Sequence, residues 1–338
     1  MACCVLLAAP LSAAQDPSSL SLEHYSKTCP AAEHVVRAEM ECAVRADPRN
    51  AALMLRLHFH DCFVQGCDGS VLLDDTAAMV GEKQAEQNVN SLKGFGLVDK
   101  IKQKLEAECP GTVSCADLLA IAARDAVVLV NQSNQTNAQN THSSMHSWRA
   151  LLGCPSGKIG RQEGKPGAGK QGHSTAQQGL LTLISKFWEK GLDATDMVAL
   201  VGSHTIGFAR CANFRDRIYG DYEMTTKYSP ASQHYLGKLK DICPLDGGDD
   251  NVSAMDSHTS STFDNAYYET LVDGEGLLNS DQEMWSSVVG YSTADTVSKY
   301  WADPAAFFKQ FSDSMVKMGN ITNPAGGEVR KNCRFLNT

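Results

Sequence analysis

Arg56-Leu57-His58-Phe59-His60-Asp61-Cys62-Phe63 places a cation, two imidazoles, a carboxylate and a thiol within one short run. The apolar stretch Ala51-Ala52-Leu53-Met54-Leu55 leads directly into it. Continued as a helix, that stretch sets Arg56 and His60 at i and i+4 on one face. A fixed positive charge beside an imidazole can polarise a bound ligand while the imidazole moves a proton. A lone buried histidine is more often a hydrogen-bonded core group than a reactive one. Here partner groups for each side chain can be found downstream. His58, two residues before His60, points away on a helix and reads as structural.

The 338 residues, 43% of them hydrophobic, suffice for one large domain or two lobes around a shared core. A net charge of −9 argues against nucleic acid as a partner. No apolar run reaches transmembrane length, so no membrane span is expected. Residues 1–14 read as a signal peptide, with Ser12 and Ala14 as small residues before a cleavage at Gln15. No basic residue precedes its apolar part, which points to a shortened leader. Residues 15–338 form the remaining domain.

Twelve cysteines fit an oxidising compartment, where the ten beyond Cys3 and Cys4 would pair in one of many arrangements. Cys62 and Cys67, five apart, could instead suggest a metal clip, although no second close pair follows. Sequons at Asn131, Asn134, Asn251 and Asn320 fit a secreted glycoprotein.

Apolar spacing along the chain is helical: 32–45, 51–60, 95–108, 114–130, 180–190, 195–201, 267–271, 292–302 and 304–318. Ser114 is the expected N-cap of the long apolar helix after it. A Gly- and Asp-rich loop is expected from Asp61 to about Glu82. Strand-like alternation is scarce, so the fold class is all-α.

Arg56 to Phe63, continuing through Val64-Gln65-Gly66-Cys67-Asp68-Gly69-Ser70, resembles the distal haem motif of the secreted plant (class III) peroxidases. The resemblance extends to Glu82-Lys83-Gln84-Ala85 with Asn88, Val113-Ser114-Cys115-Ala116-Asp117, Gly202-Ser203-His204-Thr205-Ile206-Gly207 and Phe263-Asp264-Asn265. It covers Tyr25 to Cys333 apart from 131–178. It implies a two-lobed fold with haem b sandwiched between distal and proximal helices. The implied activity is that of a donor:hydrogen-peroxide oxidoreductase, a monomer that reduces hydrogen peroxide to water. Phenolic or other small aromatic donors would be oxidised in one-electron steps through ferryl intermediates.

The same resemblance assigns roles. His204 would be the axial haem ligand, its far nitrogen held by Asp281, which makes it a stronger donor. His60 would take a proton from peroxide and return it to the departing oxygen, Arg56 would stabilise the developing charge, and Asn88, supported by Glu82, would hold the second His60 nitrogen. Asp61, Asp68, Ser70 and the carbonyls of Val64 and Gly66 would bind one calcium ion; Thr205, Asp256, Thr259, Thr262 and Asp264 would bind a second beside His204. Four disulfides are implied: Cys29–Cys109, Cys62–Cys67, Cys115–Cys333 and Cys211–Cys243. Cys42 and Cys154 lie outside that pattern as buried thiols or a fifth pair. Glu86-Gln87 stand where the family has an apolar and a small residue lining the donor channel, which implies a different donor preference.

Residues 131–178 depart from the pattern. The polar tract 131–137 and the Gly- and Lys-rich stretch 164–172 cannot bury enough apolar area to order themselves. The family has a Trp-containing turn, a Gly-Arg-x-Asp stretch and a Leu-Pro donor edge here; only Trp148 is recognisable. A phosphate loop is ruled out by the missing strand and missing Gly-Lys-Ser/Thr. A splice variant or local frameshift would give such a segment. Two further readings follow: a non-catalytic haem-binding or cell-wall glycoprotein with a disrupted donor site, and a zinc hydrolase using His58-Phe59-His60-Asp61. The latter lacks an i, i+4 histidine pair.

Overall fold

The computed structural model describes residues 23–77, 79–133, 160–161, 179–220, 230–287, 293–323 and 327–337. Helix α1 spans Ala32–Ala46 and buries Ala32, Val36, Met40 and Val44, one residue per i+4 step along a single stripe. It ends before Asp47-Pro48, since proline disfavours helix in the residue ahead of it. Helix α2, Arg49–Gln65, runs five residues beyond the expected end, so Asp61 to Gln65 are helical rather than loop. Gly66, at φ 96°, stops it. Helix α3, Phe95–Glu108, and helix α4, Cys115–Ser133, follow. Ser114 caps α4: its Oγ accepts from Asp117 N at 3.0 Å. α4 packs against both α1 and α2, and nearly every described α4 side chain is buried.

The second half builds helices Leu180–Trp188, Ala194–Val201, Ala266–Val272, Asn279–Ser286, Ala294–Ala302 and Pro304–Gly319. Asp193 starts the second of these with a capping box to Asp196. Helices at Arg215–Tyr219, Pro230–Ile242 and Asn279–Ser286 were not among those expected from the spacing. The class is all-α, with two minimal antiparallel sheets: Phe208–Arg210 with Val252–Ala254, and Gly160–Arg161 with Gly327–Glu328. The second pairing gives two residues of the atypical segment a defined place. The rest of that segment from Asn134 onward, with Trp148 and Cys154, and the leader lie outside the described residues, as do Glu163 to Gln178.

The main core spans both halves, while Ala209, Cys211, Phe214, Ile218, Tyr235, Leu239, Cys243, Met255 and Leu277 form a second, smaller one. All four disulfides implied by the resemblance are formed: Cys29–Cys109, Cys62–Cys67, Cys115–Cys333 and Cys211–Cys243. Cys42 is exposed with a free thiol, so it is not the buried group expected of it.

Candidate active site

Ala52, Arg56 and His60 lie at i, i+4 and i+8, one stripe of α2. A Cβ added to Gly207, at φ 108°, would lie 3.1 Å from the Ala52 side chain. The turn after His204 therefore abuts the same stripe that leads, about 12 Å further along the helix, to His60. One element thus ties the two candidate histidines into one region.

His60 is buried, and its Nδ1 lies 2.7 Å from Asn88 Oδ1. An amide oxygen only accepts, so Nδ1 carries the proton. Its other nitrogen, Nε2, accepts from Arg56 Nε at 3.2 Å. The two contacts together assign the tautomer that general-base action requires. Asn88 is oriented in turn by donating from Nδ2 to the Glu82 carbonyl at 2.8 Å. The Glu82 carboxylate serves a different partner, accepting from Ser70 Oγ at 2.8 Å. Glu82 thus supports Asn88 through its backbone and Ser70, in the loop after α2, through its side chain.

Arg56 is held by groups that no motif announced. Nη1 donates to Ser91 O at 3.0 Å, and Nη2 donates to Gln87 O at 3.1 Å and Ser91 Oγ at 2.9 Å. Burial pushes its guanidinium down to about 10, so it stays protonated at neutral pH. Asn90, within this loop, has φ 57°. Asparagine tolerates that left-handed conformation, and its presence in Asn88-Val89-Asn90-Ser91 was the one available signal for the turn. Glu86 is exposed, and Gln87 contributes its carbonyl to Arg56. His58 is 2% exposed and sits 3.6 Å from Cys62 Sγ, in keeping with a structural role.

His204 lies on a 3-10 turn, Gly202–Thr205, after the helix Ala194–Val201, rather than on a helix proper. Its Nδ1 is 3.1 and 3.2 Å from the two Asp281 oxygens, and Asp281 is 0% exposed. A buried carboxylate on Nδ1 leaves Nε2 as the nitrogen able to ligate a metal and raises its basicity. The His204 side chain is one-third exposed. Tyr267 meets it edge-on at 6.1 Å between ring centroids. A haem needs one such imidazole and one open face with a proton-moving group, and these donor sets fit it.

The second calcium set is tightly drawn. Thr205 Oγ1 lies 3.1 Å from Asp256 Oδ2, 3.1 Å from Asp264 Oδ1 and 3.4 Å from the Thr262 carbonyl. Thr259 Oγ1 lies 3.2 Å from Asp256 Oδ2 and 2.9 Å from Asp264 Oδ1. Two hydroxyl protons cannot serve five such contacts. Oxygens coordinated at calcium distances sit about 2.8–3.4 Å from one another, so the cluster has the spacing of a coordination shell. Burial, with the Asp256 charge adding to it, raises the Asp264 carboxyl, an effect a bound cation would reverse. In the first set, Asp61 and Asp68 are 1% exposed, Ser70 is 2% exposed, and Lys190 Nζ donates to the Val64 carbonyl at 2.6 Å. Both sets combine two carboxylates with hydroxyl and carbonyl oxygens, the donors of a hard cation. Among the described residues, no three His, Cys, Asp or Glu side chains gather as zinc would require.

A family model described as peroxidase matches residues 36–303. The chain belongs to the peroxidase family. It is 53% identical to Peroxidase 11 of Arabidopsis thaliana, over 94% of this chain and 91% of that protein. Peroxidase 49 of the same plant is 42% identical over 93% and 90%, and Peroxidase 4 of Vitis vinifera 41% over 97% and 95%. The peroxidase is all-α, as the family's fold requires, and it is an enzyme of hydrogen peroxide reduction at the expense of a donor. No helix of the described residues is long and apolar enough to cross a membrane.

Proposed function

We propose that this peroxidase is a secreted, monomeric enzyme with haem b and two calcium ions, oxidising phenolic or related small aromatic donors. The observation that carries the reading is the pair of differently dressed imidazoles. His204 has Nδ1 on a buried carboxylate, while His60 has Nδ1 on an amide oxygen and Nε2 free of any proton. The first is dressed as a metal ligand and the second as a base.

When bound, the haem supplies the iron that receives peroxide and stores the oxidising equivalents. His204 would hold it through Nε2, with Asp281 fixing the ring. His60 Nε2 would take a proton from one peroxide oxygen and return it to the other, which would leave as water. Arg56 Nε, on His60 at rest, would turn to an oxygen that gains negative charge, while Ser91 and Gln87 hold the rest of its fork. Asn88 keeps the tautomer throughout. Asp61, Val64, Gly66, Asp68 and Ser70 would bind one calcium ion, and Thr205, Asp256, Thr259, Thr262 and Asp264 the other.

Secretion is supported by the four disulfides and by exposed sequon asparagines at 251 and 320. The intact Arg56–His60–Asn88 and His204–Asp281 groups favour catalysis over a non-catalytic haem or cell-wall glycoprotein. The test is steady-state oxidation of a simple phenol by the chain refolded with haem, calcium and a glutathione redox buffer. Turnover that depends on hydrogen peroxide and on haem supports the reading. A haem-loaded protein that leaves the phenol untouched overturns it.

A further inference from the structure

The Asp61–Ser70 segment, the end of α2 and the loop after it, is gripped from outside by the C-terminal chain. Cys67 N donates to Ile321 O at 2.8 Å. Asn323 Nδ2 donates to Asp68 Oδ2 at 2.9 Å. Arg330 Nη2 donates to Gly69 O at 2.6 Å, and its Nη1 to Cys333 O at 2.9 Å. Two left-handed glycines make room for this approach. At Gly66, φ 96°, an added Cβ would lie 2.7 Å from the Thr322 carbonyl carbon; at Gly69, φ 71°, it would lie 2.6 Å from Arg330 Nη2.

Arg330 is 0% exposed, and burial lowers its guanidinium while the charges of Asp61, Asp68 and Glu328 oppose that loss. A buried cation is costly unless such groups surround it. The grip is anchored at its far end, because Cys333 is bridged to Cys115 at the first residue of α4. Asp68 is held on both oxygens by N–H donors: Oδ1 by Ser70 N at 2.9 Å and Oδ2 by Asn323. That fixes the carboxylate plane and still leaves a lone pair on each oxygen.

We propose that Asn323 and Arg330 are positioning residues for the cation of the Asp61–Ser70 segment, Asn323 by orienting Asp68 and Arg330 by fixing Gly69 between Asp68 and Ser70. This rests on the reading that the loop binds calcium. Groups that orient metal ligands commonly change affinity by about 10–100-fold when removed. Ser70, Glu82 and Asn88 connect the loop to His60, so a loop without its cation would also misplace the base.

The test is a calcium titration of the haem-loaded protein, calorimetric or against a fluorescent chelator, with Asn323→Ala and Arg330→Lys beside the wild type. The wild type should show two sites. Asn323→Ala should weaken one of them about ten-fold or more and leave the other unchanged. Its rate with hydrogen peroxide should fall at limiting calcium and recover at saturating calcium, which a general packing defect would not allow. Arg330→Lys keeps the charge but loses the fork, and should weaken the same site. If it does not refold, Asn323→Ala decides. Two unchanged sites in Asn323→Ala overturn the positioning role while the calcium reading stands. A wild type that binds no calcium overturns the calcium reading itself, and the positioning role with it.

Discussion

The two faces of this active site are built at different ranges. On the distal face, Arg56, His60, Glu82, Asn88 and Ser91 all come from one stretch of 36 residues, and each side chain meets partners within it. On the proximal face, His204 takes its orienting carboxylate from Asp281, 77 residues on, and Thr205 shares a cluster with residues 51 to 59 further along. A local site needs one helix and one loop to fold; a distant one needs several helices and, on the proposed reading, a cation to agree. The difference teaches that the proton-moving half should survive damage that the haem-holding half does not.

The largest effects should come from the two imidazoles. His60→Ala should keep its haem and slow the reaction with hydrogen peroxide about 10²–10⁴-fold, the usual worth of general acid–base help, measured by stopped flow. His204→Ala should fail to retain haem through gel filtration. Next comes the tether between α4 and the C-terminal chain. Replacing Cys115 and Cys333 by alanine opens a loop of 218 residues, and the chain-entropy account puts the loss at about 5 kcal/mol, read from guanidinium unfolding midpoints.

A cut at the proposed proximal cation site should be smaller and one-sided. Asp264→Asn removes one of two carboxylates, so calcium there should weaken about ten-fold or more. The ferric haem spectrum should shift through neighbouring His204, while the peroxide rate at saturating calcium stays the same. A change in that rate with no change in spectrum would break the comparison.

Acid should also act on the proximal side. Asp196 lies in the helix that ends beside His204; burial opposes its charge, but Lys317, Ser314 and Asp193 bring its carboxyl below the ordinary value. Its folded pKa is therefore below the unfolded one. That stability is complete above about pH 4 and is lost as pH falls through the folded value. Haem release on acid titration should be displaced in Asp196→Asn, whose charge no longer titrates. The smallest effect expected is Ser91→Ala, which removes one of the hydrogen bonds to Arg56. A loss of about 1 kcal/mol, roughly five-fold in peroxide rate, is in proportion to one such bond, and Ser91→Thr should restore it.

The same contrast explains what the sequence disclosed. The distal stripe was legible because helical spacing alone sets Arg56 and His60 side by side. The proximal pairing His204–Asp281 and all four disulfides followed from resemblance, since no spacing rule joins residues so far apart. Ser91 and Gln87 went unseen because two of their three contacts to Arg56 are made by backbone carbonyls, which any residue could supply. The extra turn of α2 was missed because its last residues include Asp61 and Cys62, which read as loop until packed against the core. The helix expected at His204 came from the resemblance, since the spacing ends at Val201 and Gly202-Ser203-His204-Thr205 carries no apolar stripe to continue it.

The central claim is that one imidazole binds the haem and the other stays free to move a proton. The visible absorption spectrum of the resting, haem-loaded wild type tests it most directly. A five-coordinate ferric spectrum, altered by one equivalent of hydrogen peroxide and restored by a phenolic donor, is the result expected. A six-coordinate spectrum with both imidazoles ligated, inert to peroxide, would contradict it.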